Sequence, residues 1–196
     1  MNTVNKNDVC NSYIKEITEI SAYVKKCNAV FNEDKQYLSF SYENAIIMTY
    51  RSFEHFILRI MISCLNHDHS HFEENYGIKL GRHINDDVCE FLITKGGYFD
   101  FKGNGDLKKM LNKTIGQKHP IVKVFGNGTY SKTIQKLYVL RNYAAHNSPQ
   151  AKKAVLNEFN LKRAKSAGSI LKQQGRFQSI ISELEQLAID IKAIPT

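Results

Sequence analysis

The chain has 196 residues, of which 42% are hydrophobic and 11% aromatic, with three prolines and 23% charged residues. This composition predicts a single folded domain over residues 1–196 and excludes a disordered chain. The sequence has no apolar run of the roughly 18 residues that a membrane span needs and no secretory signal, so we expect a cytoplasmic protein with no membrane partner.

Positive charge is concentrated in one part of this sequence. The formal net charge is +8, yet residues 102–176 alone contain 16 lysines and arginines against two acidic residues, Asp106 and Glu158. Such a block favours a polyanionic partner, because cations that neutralise phosphates release condensed counterions. The alternative is a solvated basic face without a partner.

Apolar residues at helical spacing predict two long helices in the first third of the chain. Residues 7–31 have the pattern of an amphipathic helix. Residues 41–65, with Ser41 as the expected entry, are apolar on nearly every side, so this second helix should form the buried centre of an all-α bundle. A single carboxylate, Glu54, interrupts one of its apolar stripes.

The stretch 66–130 is less regular, and we interpret it as an insertion between the second long helix and the next one. Its pattern predicts a polar loop at 66–81, a short helix starting at Asp86, a turn-rich link at 94–105 that is compatible with a short hairpin, and short helices at 106–115 and 120–125.

Three further helices are predicted in the remainder of the chain. The first covers 132–146 and has Ser131 as its expected N-cap. The second begins at Pro149 or Gln150 and runs to about Lys165, and the third covers 176–194 with the cleanest apolar period in the sequence.

The cysteines and histidines suggest only one metal site, as an alternative. Cys10, Cys27, Cys64 and Cys89 are widely spaced, which predicts reduced and mostly buried thiols. The segment "HDHSH" places His67, His69 and His71 close together, a composition also found in zinc sites. Histidines in a polar loop are more often solvated, so we expect no metal and no other cofactor.

The segment "LRNYAAHNSP", residues 140–149, carries the main candidate site. Arg141 takes a position where the helix 132–146 needs an apolar residue, as Glu54 does in the central helix. A buried charge without a partner costs several kcal/mol. We therefore expect Glu54 and Arg141 to meet, or to line one polar cleft.

His146 lies at the end of the same helix. It is about 140° around the helix from Arg141 but only about 40° from Asn142, so Asn142 is expected to orient its imidazole. Histidine can move a proton at the ribose 2′-OH or the leaving 5′-oxygen, and arginine can stabilise charge on phosphoryl oxygens. These residue types suit RNA cleavage without a metal. One histidine does not easily serve as both base and acid, so this hypothesis requires a homodimer. The alternative is that both cations only cap a helix end, where the macrodipole favours them.

"RNYAAH" resembles the R-x4-6-H signature of the HEPN superfamily of all-α proteins, including the form in which Asn follows the Arg. The segment "YENAIIMTYRSFEHFILRI" is similar to the long HEPN helix with an acidic residue after an aromatic one, here Glu54. The C-terminal "RAKSAGSILKQQGRFQSIISELEQLA" also resembles the tails of some members of the superfamily's bacterial branches. The resemblance covers residues 40–65 and 131–194.

This resemblance implies a homodimeric, metal-independent endoribonuclease that leaves 2′,3′-cyclic phosphate and 5′-OH ends. Arg141 and His146 carry over directly as catalytic residues, Asn142 by its position, and Glu54 more loosely. Many such proteins look like toxins or phage-defence effectors, which adds an antitoxin or regulatory protein to the expected partners beside RNA. The competing reading is a non-catalytic helical module that binds nucleic acid or a protein.

Overall fold

A computed structural model describes residues 3–195 of the chain. Within this range the regular structure is entirely α-helical and no strand is present, which confirms the all-α fold class. The ten helices of this range are α1 Lys6–Val30, α2 Lys35–His67, α3 Ser70–Tyr76, α4 Asp86–Thr94, α5 Gly103–Ile115, α6 Pro120–Phe125, α7 Gly128–His146, α8 Pro149–Glu158, α9 Ala167–Leu171 and α10 Arg176–Ala193.

The central helix α2 begins earlier than its apolar pattern indicates. The Asp34 carboxylate accepts hydrogen bonds from the backbone N–H groups of Gln36 and Tyr37, and this cap starts the helix at residue 35. The expected entry at Ser41 is therefore wrong, and the Ser41 hydroxyl instead donates to the Tyr37 carbonyl inside the helix. With 33 residues, α2 is roughly 50 Å long.

The segment 66–130 differs from the prediction in three places. Helix α3 forms within the expected polar loop and buries Phe72. No strand occurs at 94–105, so the hairpin is wrong, and this link instead turns at Lys95, whose φ is 55°. Helix α5 begins at Gly103 rather than at 106, because the Asp106 carboxylate accepts from the Lys102 N–H and fixes the first turn. The start of α4 and both ends of α6 agree with the prediction.

Boundaries also shift in the C-terminal part. Helix α7 begins at Gly128, where Asn127 provides the cap, while the predicted cap Ser131 donates to the Phe125 carbonyl. Helix α8 stops at residue 158 instead of about 165, and Asn160 behind it has a φ of 50°. Helix α9 was not expected from the sequence, and its start is capped by the Ser166 hydroxyl.

Helix α2 is the centre of the core, with α1, α7 and α9 packed around it. The main cluster of buried apolar side chains includes residues from the segment 66–130, so α5 and α6 are part of the core and not an appendage. The members from α5 and α6 are Leu107, Leu111, Ile115, Ile121, Val122 and Phe125. A smaller cluster joins α3 and α4 to the end of α2, through Phe72, Cys89 and Leu65 among others.

The cysteines occupy mostly buried positions, as predicted from the sequence. Cys10, Cys27 and Cys89 are buried, Cys64 is partly buried, and all four are free.

None of the helices in residues 3–195 combines the length and the hydrophobicity required to cross a membrane.

Candidate catalytic motif and basic surface

Arg141 is half-buried on the side of α7 that faces α2. Its Cζ lies 5.0 Å from the centroid of the Tyr50 ring, which is a cation–π contact. Its Nη1 donates a hydrogen bond of 2.9 Å to the Oδ1 atom of Asn142. An aromatic face and a neutral amide therefore hold this guanidinium, and neither of them cancels its charge.

Tyr50 is a rigid platform for Arg141. The residue is 1% exposed, and its hydroxyl donates a 2.9 Å hydrogen bond to the backbone carbonyl of Phe101. Its ring centroid lies 5.7 Å from that of Phe101 and 6.4 Å from that of Tyr138. Burial, followed by the nearby carboxylates of Glu54 and Asp100, raises the pKa of Tyr50. The phenol therefore stays protonated at neutral pH and continues to donate.

Glu54 lies one turn after Tyr50 on α2 and is partly buried. Burial and, next, repulsion from Asp100 raise its pKa to about 7, while Arg141 acts in the opposite direction. Among residues 3–195 the ion pairs within 4.0 Å do not include one between Glu54 and Arg141. The two charges thus form no direct ion pair, although both side chains lie near Tyr50. The alternative, a polar cleft lined by both, stays a prediction.

His146 is the last residue of α7 and is exposed to solvent. The expected contact between Asn142 and His146 is replaced by the contact between Asn142 and Arg141, and the imidazole has no hydrogen-bond partner in the described part of the chain. Asn147, with a φ of 44°, ends the helix directly behind His146. This arrangement leaves both ring nitrogens open to a substrate or to a second protein chain.

The three histidines of "HDHSH" have different surroundings, although His67 and His71 line the same cavity. His67 ends α2, His69 lies 3.8 Å from Glu73, and the Nε2 atom of His71 lies 3.0 Å from the Asn112 carbonyl oxygen. Between residues 3 and 195 no group of three or more His, Cys, Asp or Glu side chains is arranged to hold a metal ion. The alternative metal site at His67, His69 and His71 therefore has no geometric support here.

The cations of residues 102–176 are mostly exposed and are not paired with carboxylates. Of the 16 lysines and arginines in this stretch, 12 are exposed and four are partly buried. None of them forms an ion pair within 4.0 Å with a carboxylate of residues 3–195. Exposed cations without ion-pair partners create a positive potential that attracts polyanions.

The sequence did not indicate the role of two residues at this site, Tyr50 and Asp100, for different reasons. Tyr50 lies four residues before Glu54, and this helical spacing placed it on the same face, but nothing marked it as the partner of an arginine. Asp100 is exposed and belongs to the irregular link between α4 and α5, where no period indicates which side chains approach α2.

No protein-family model, curated protein or solved structure matches the chain. The arrangement of side chains at Arg141 and His146 is therefore the basis for any functional assignment.

Proposed function

We propose that the chain is a metal-independent endoribonuclease of HEPN type whose site is built from Arg141 and His146. One observation carries the proposal. The end of α7 presents an exposed imidazole, and the same helix carries, five residues earlier, a guanidinium that is held by Tyr50 and Asn142 and has no carboxylate within 4.0 Å among residues 3–195. The positive charge of Arg141 is consequently available to a phosphate.

The reaction uses proton transfer and charge stabilisation only. A neutral imidazole accepts the proton of a ribose 2′-OH, and the 2′-oxygen attacks the adjacent phosphorus. The bond from phosphorus to the 5′-oxygen breaks, and an imidazolium gives its proton to that oxygen. The products are a 2′,3′-cyclic phosphate and a 5′-OH. Arg141 stabilises the negative charge that develops on the non-bridging oxygens.

Base and acid have to be two different histidines, and the chain contributes one at this site. A homodimer with two copies of α7 facing each other supplies both. The exposure of His146 is compatible with this arrangement. Asn142 and Tyr50 are positioning residues in this scheme, since they hold Arg141 in place. Glu54, with a pKa near 7, carries less negative charge than an ordinary carboxylate and competes less for that guanidinium.

In the cell this activity fits a cytoplasmic toxin or phage-defence effector. Its substrate is RNA, and an antitoxin or other regulatory protein controls it. The resemblance of "RNYAAH" to the HEPN signature supports this role, together with the exposed cations of residues 102–176.

The test is RNA cleavage by purified protein in EDTA. We expect wild type to cut, and Arg141→Ala and His146→Ala each to lose about 100-fold or more of the rate, the first because a charge-stabilising group is lost and the second because a proton-transferring group is lost. Lys153→Ala is the matched control, because Lys153 is an exposed cation of the neighbouring helix α8. An equal mixture of the two inactive variants should stay inactive, since mixed dimers cannot rebuild a complete pair of motifs. Intact RNA with wild type, or normal cleavage by both variants, would refute the proposal.

A non-catalytic module that binds nucleic acid or a protein is the second candidate. It is favoured by the 12 exposed cations of residues 102–176, which would attract a polyanion whether or not His146 is active. Wild-type protein that binds RNA tightly in EDTA and leaves it uncut would select this candidate.

A further inference from the structure

A groove of about 840 Å³ runs between the first turns of α2 and the segment 161–173. Its walls contain no aspartate or glutamate. Its lining includes Lys35, Arg163, Lys165 and Lys172. Four cations therefore face one concave space without a compensating carboxylate in its lining.

One of these four cations is held in a fixed place by the protein itself. The Nζ atom of Lys172 donates hydrogen bonds of 3.0 Å to the Lys35 carbonyl oxygen and to the Ser39 hydroxyl. Lys35, Arg163 and Lys165 are exposed, and none of the four has an ion-pair partner among residues 3–195. None of the four positive charges is thus neutralised by a paired carboxylate.

The groove also has an aromatic wall. Phe40 lines it and is 47% exposed, and Tyr37, almost one turn earlier on α2, is 58% exposed. The two ring centroids lie 6.4 Å apart with the rings nearly perpendicular. Exposed aromatic rings beside cations are the combination on which unpaired bases stack while the phosphates follow the charges.

Three contacts connect the groove rigidly to the rest of the fold. The Tyr143 hydroxyl donates a 3.1 Å hydrogen bond to the Lys165 carbonyl oxygen, and the Gly168 N–H donates one of 3.1 Å to a carboxylate oxygen of Glu43. The backbone at Gly168 lies against that of Ser39, where a Cβ atom would find no room. Tyr143 is inside the "RNYAAH" motif, three residues before His146, so its hydrogen bond ties the backbone of the basic wall to the helix that carries the candidate base.

We propose that this groove binds single-stranded RNA, with phosphates on Arg163, Lys165 and Lys172 and a base on Phe40, and that it delivers the strand to His146. The delivery to His146 rests on the function proposed above, whereas the binding does not. A duplex is a poorer occupant, because its bases are paired and stacked and have no free face for Phe40.

Binding is measured on His146→Ala protein, which keeps the RNA intact, with a short fluorescein-labelled single-stranded oligoribonucleotide of mixed sequence. In this background, Arg163→Ala combined with Lys165→Ala should weaken binding roughly tenfold at 0.15 M salt. It should also reduce the slope of log Kd against log salt by about 1.4, the value for two lost phosphate contacts with a single strand. The matched control is Lys25→Ala with Lys26→Ala, two exposed cations of α1 outside both the groove and the basic stretch 102–176, which should change Kd less than threefold.

Phe40→Ala tests the aromatic wall separately. It should weaken binding about fivefold or more without changing the salt slope, because stacking involves no counterion release. The proposal is overturned if the two groove variants bind like the control pair, if the same sequence as a duplex binds more tightly, or if a polyaspartate peptide binds more tightly than the RNA.

Cleavage by protein with the wild-type His146 separates the nuclease proposal from the groove proposal. If that protein binds through the groove but cuts no RNA, the groove assignment stands and the nuclease is lost. If it cuts RNA and the groove variants bind and cut normally, the groove assignment alone is lost. If both hold, the groove variants should raise KM roughly tenfold and leave kcat within about twofold, since they remove binding and not proton transfer.

Discussion

The proton on Glu54 should make the stability of the protein fall between mildly acidic and neutral pH. Burial and the neighbouring Asp100 raise the Glu54 pKa from an ordinary value of 4.5 to about 7. The folded protein therefore still holds this proton at pH values where the unfolded chain has already lost it. By linkage, the extra stability is fully present below pH 4.5 and is lost as the pH rises to 7.

The size of the effect follows from the same values. The full shift corresponds to about 3 kcal/mol of unfolding free energy. Since the Glu54 carboxyl is partly exposed and water screens its interactions, we expect about half of this, roughly 1–2 kcal/mol.

Glu54→Gln isolates this contribution, because it keeps the shape of the side chain and removes the titration. Unfolding in urea is followed by circular dichroism at pH 5, 6, 7 and 8 for wild type and variant. The stability of the variant relative to wild type should increase by about 1–2 kcal/mol from pH 5 to pH 8. Glu19→Gln, at an exposed position of α1, is the control and should show a much smaller change.

Asp100→Asn is a second variant to be unfolded in urea over the same pH series. Removing the Asp100 charge should lower the Glu54 pKa and shrink the pH-dependent difference. Parallel pH profiles for wild type and Glu54→Gln would refute the argument, and so would an Asp100→Asn protein whose stability depends on pH as wild type does.

Two further predictions concern stability alone. Gly168→Ala should lower the unfolding free energy by about 2–3 kcal/mol, and Tm by roughly 5–10 °C in thermal melting, because its Cβ would clash with the Ser39 backbone. Gly105→Ala, with open space around its Cβ position in α5, should be neutral or slightly stabilising, and equal effects at both sites would contradict the packing argument. Tyr50→Phe should cost about 1–2 kcal/mol in urea unfolding, because the buried Phe101 carbonyl loses its donor; an unchanged midpoint would show that this hydrogen bond contributes nothing.

The helices that could be predicted are those with a sustained apolar period. Predictions for α1 and α10 agree with the structure within one residue at each end. The start of α2 was missed by six residues, because Asp34 caps the helix ahead of the apolar run. Helices α3 and α9 were missed entirely, since at seven and five residues they are too short to show a period and neither begins with a proline, as the six-residue α6 does.

At the candidate site, only the residue types and their angles along one helix could be predicted. Arg141, Asn142 and His146 occupy fixed positions on α7 because a helix has a constant rotation per residue. The contact partner of each side chain could not be predicted in this way. Asn142 contacts Arg141 rather than His146, and Arg141 packs on Tyr50 rather than pairing with Glu54.

The sequence by itself determined the all-α class, the central position of the second helix, the concentration of positive charge and the candidate motif on α7, since each of these is a local or additive property of the chain. Only the tertiary structure decided what surrounds that motif. Asp100 approaches Glu54 from an aperiodic link, and Lys172 reaches the Lys35 carbonyl across a separation of 137 residues. Contacts between such distant segments depend on how the helices pack around α2, and no repeat in the sequence records that packing.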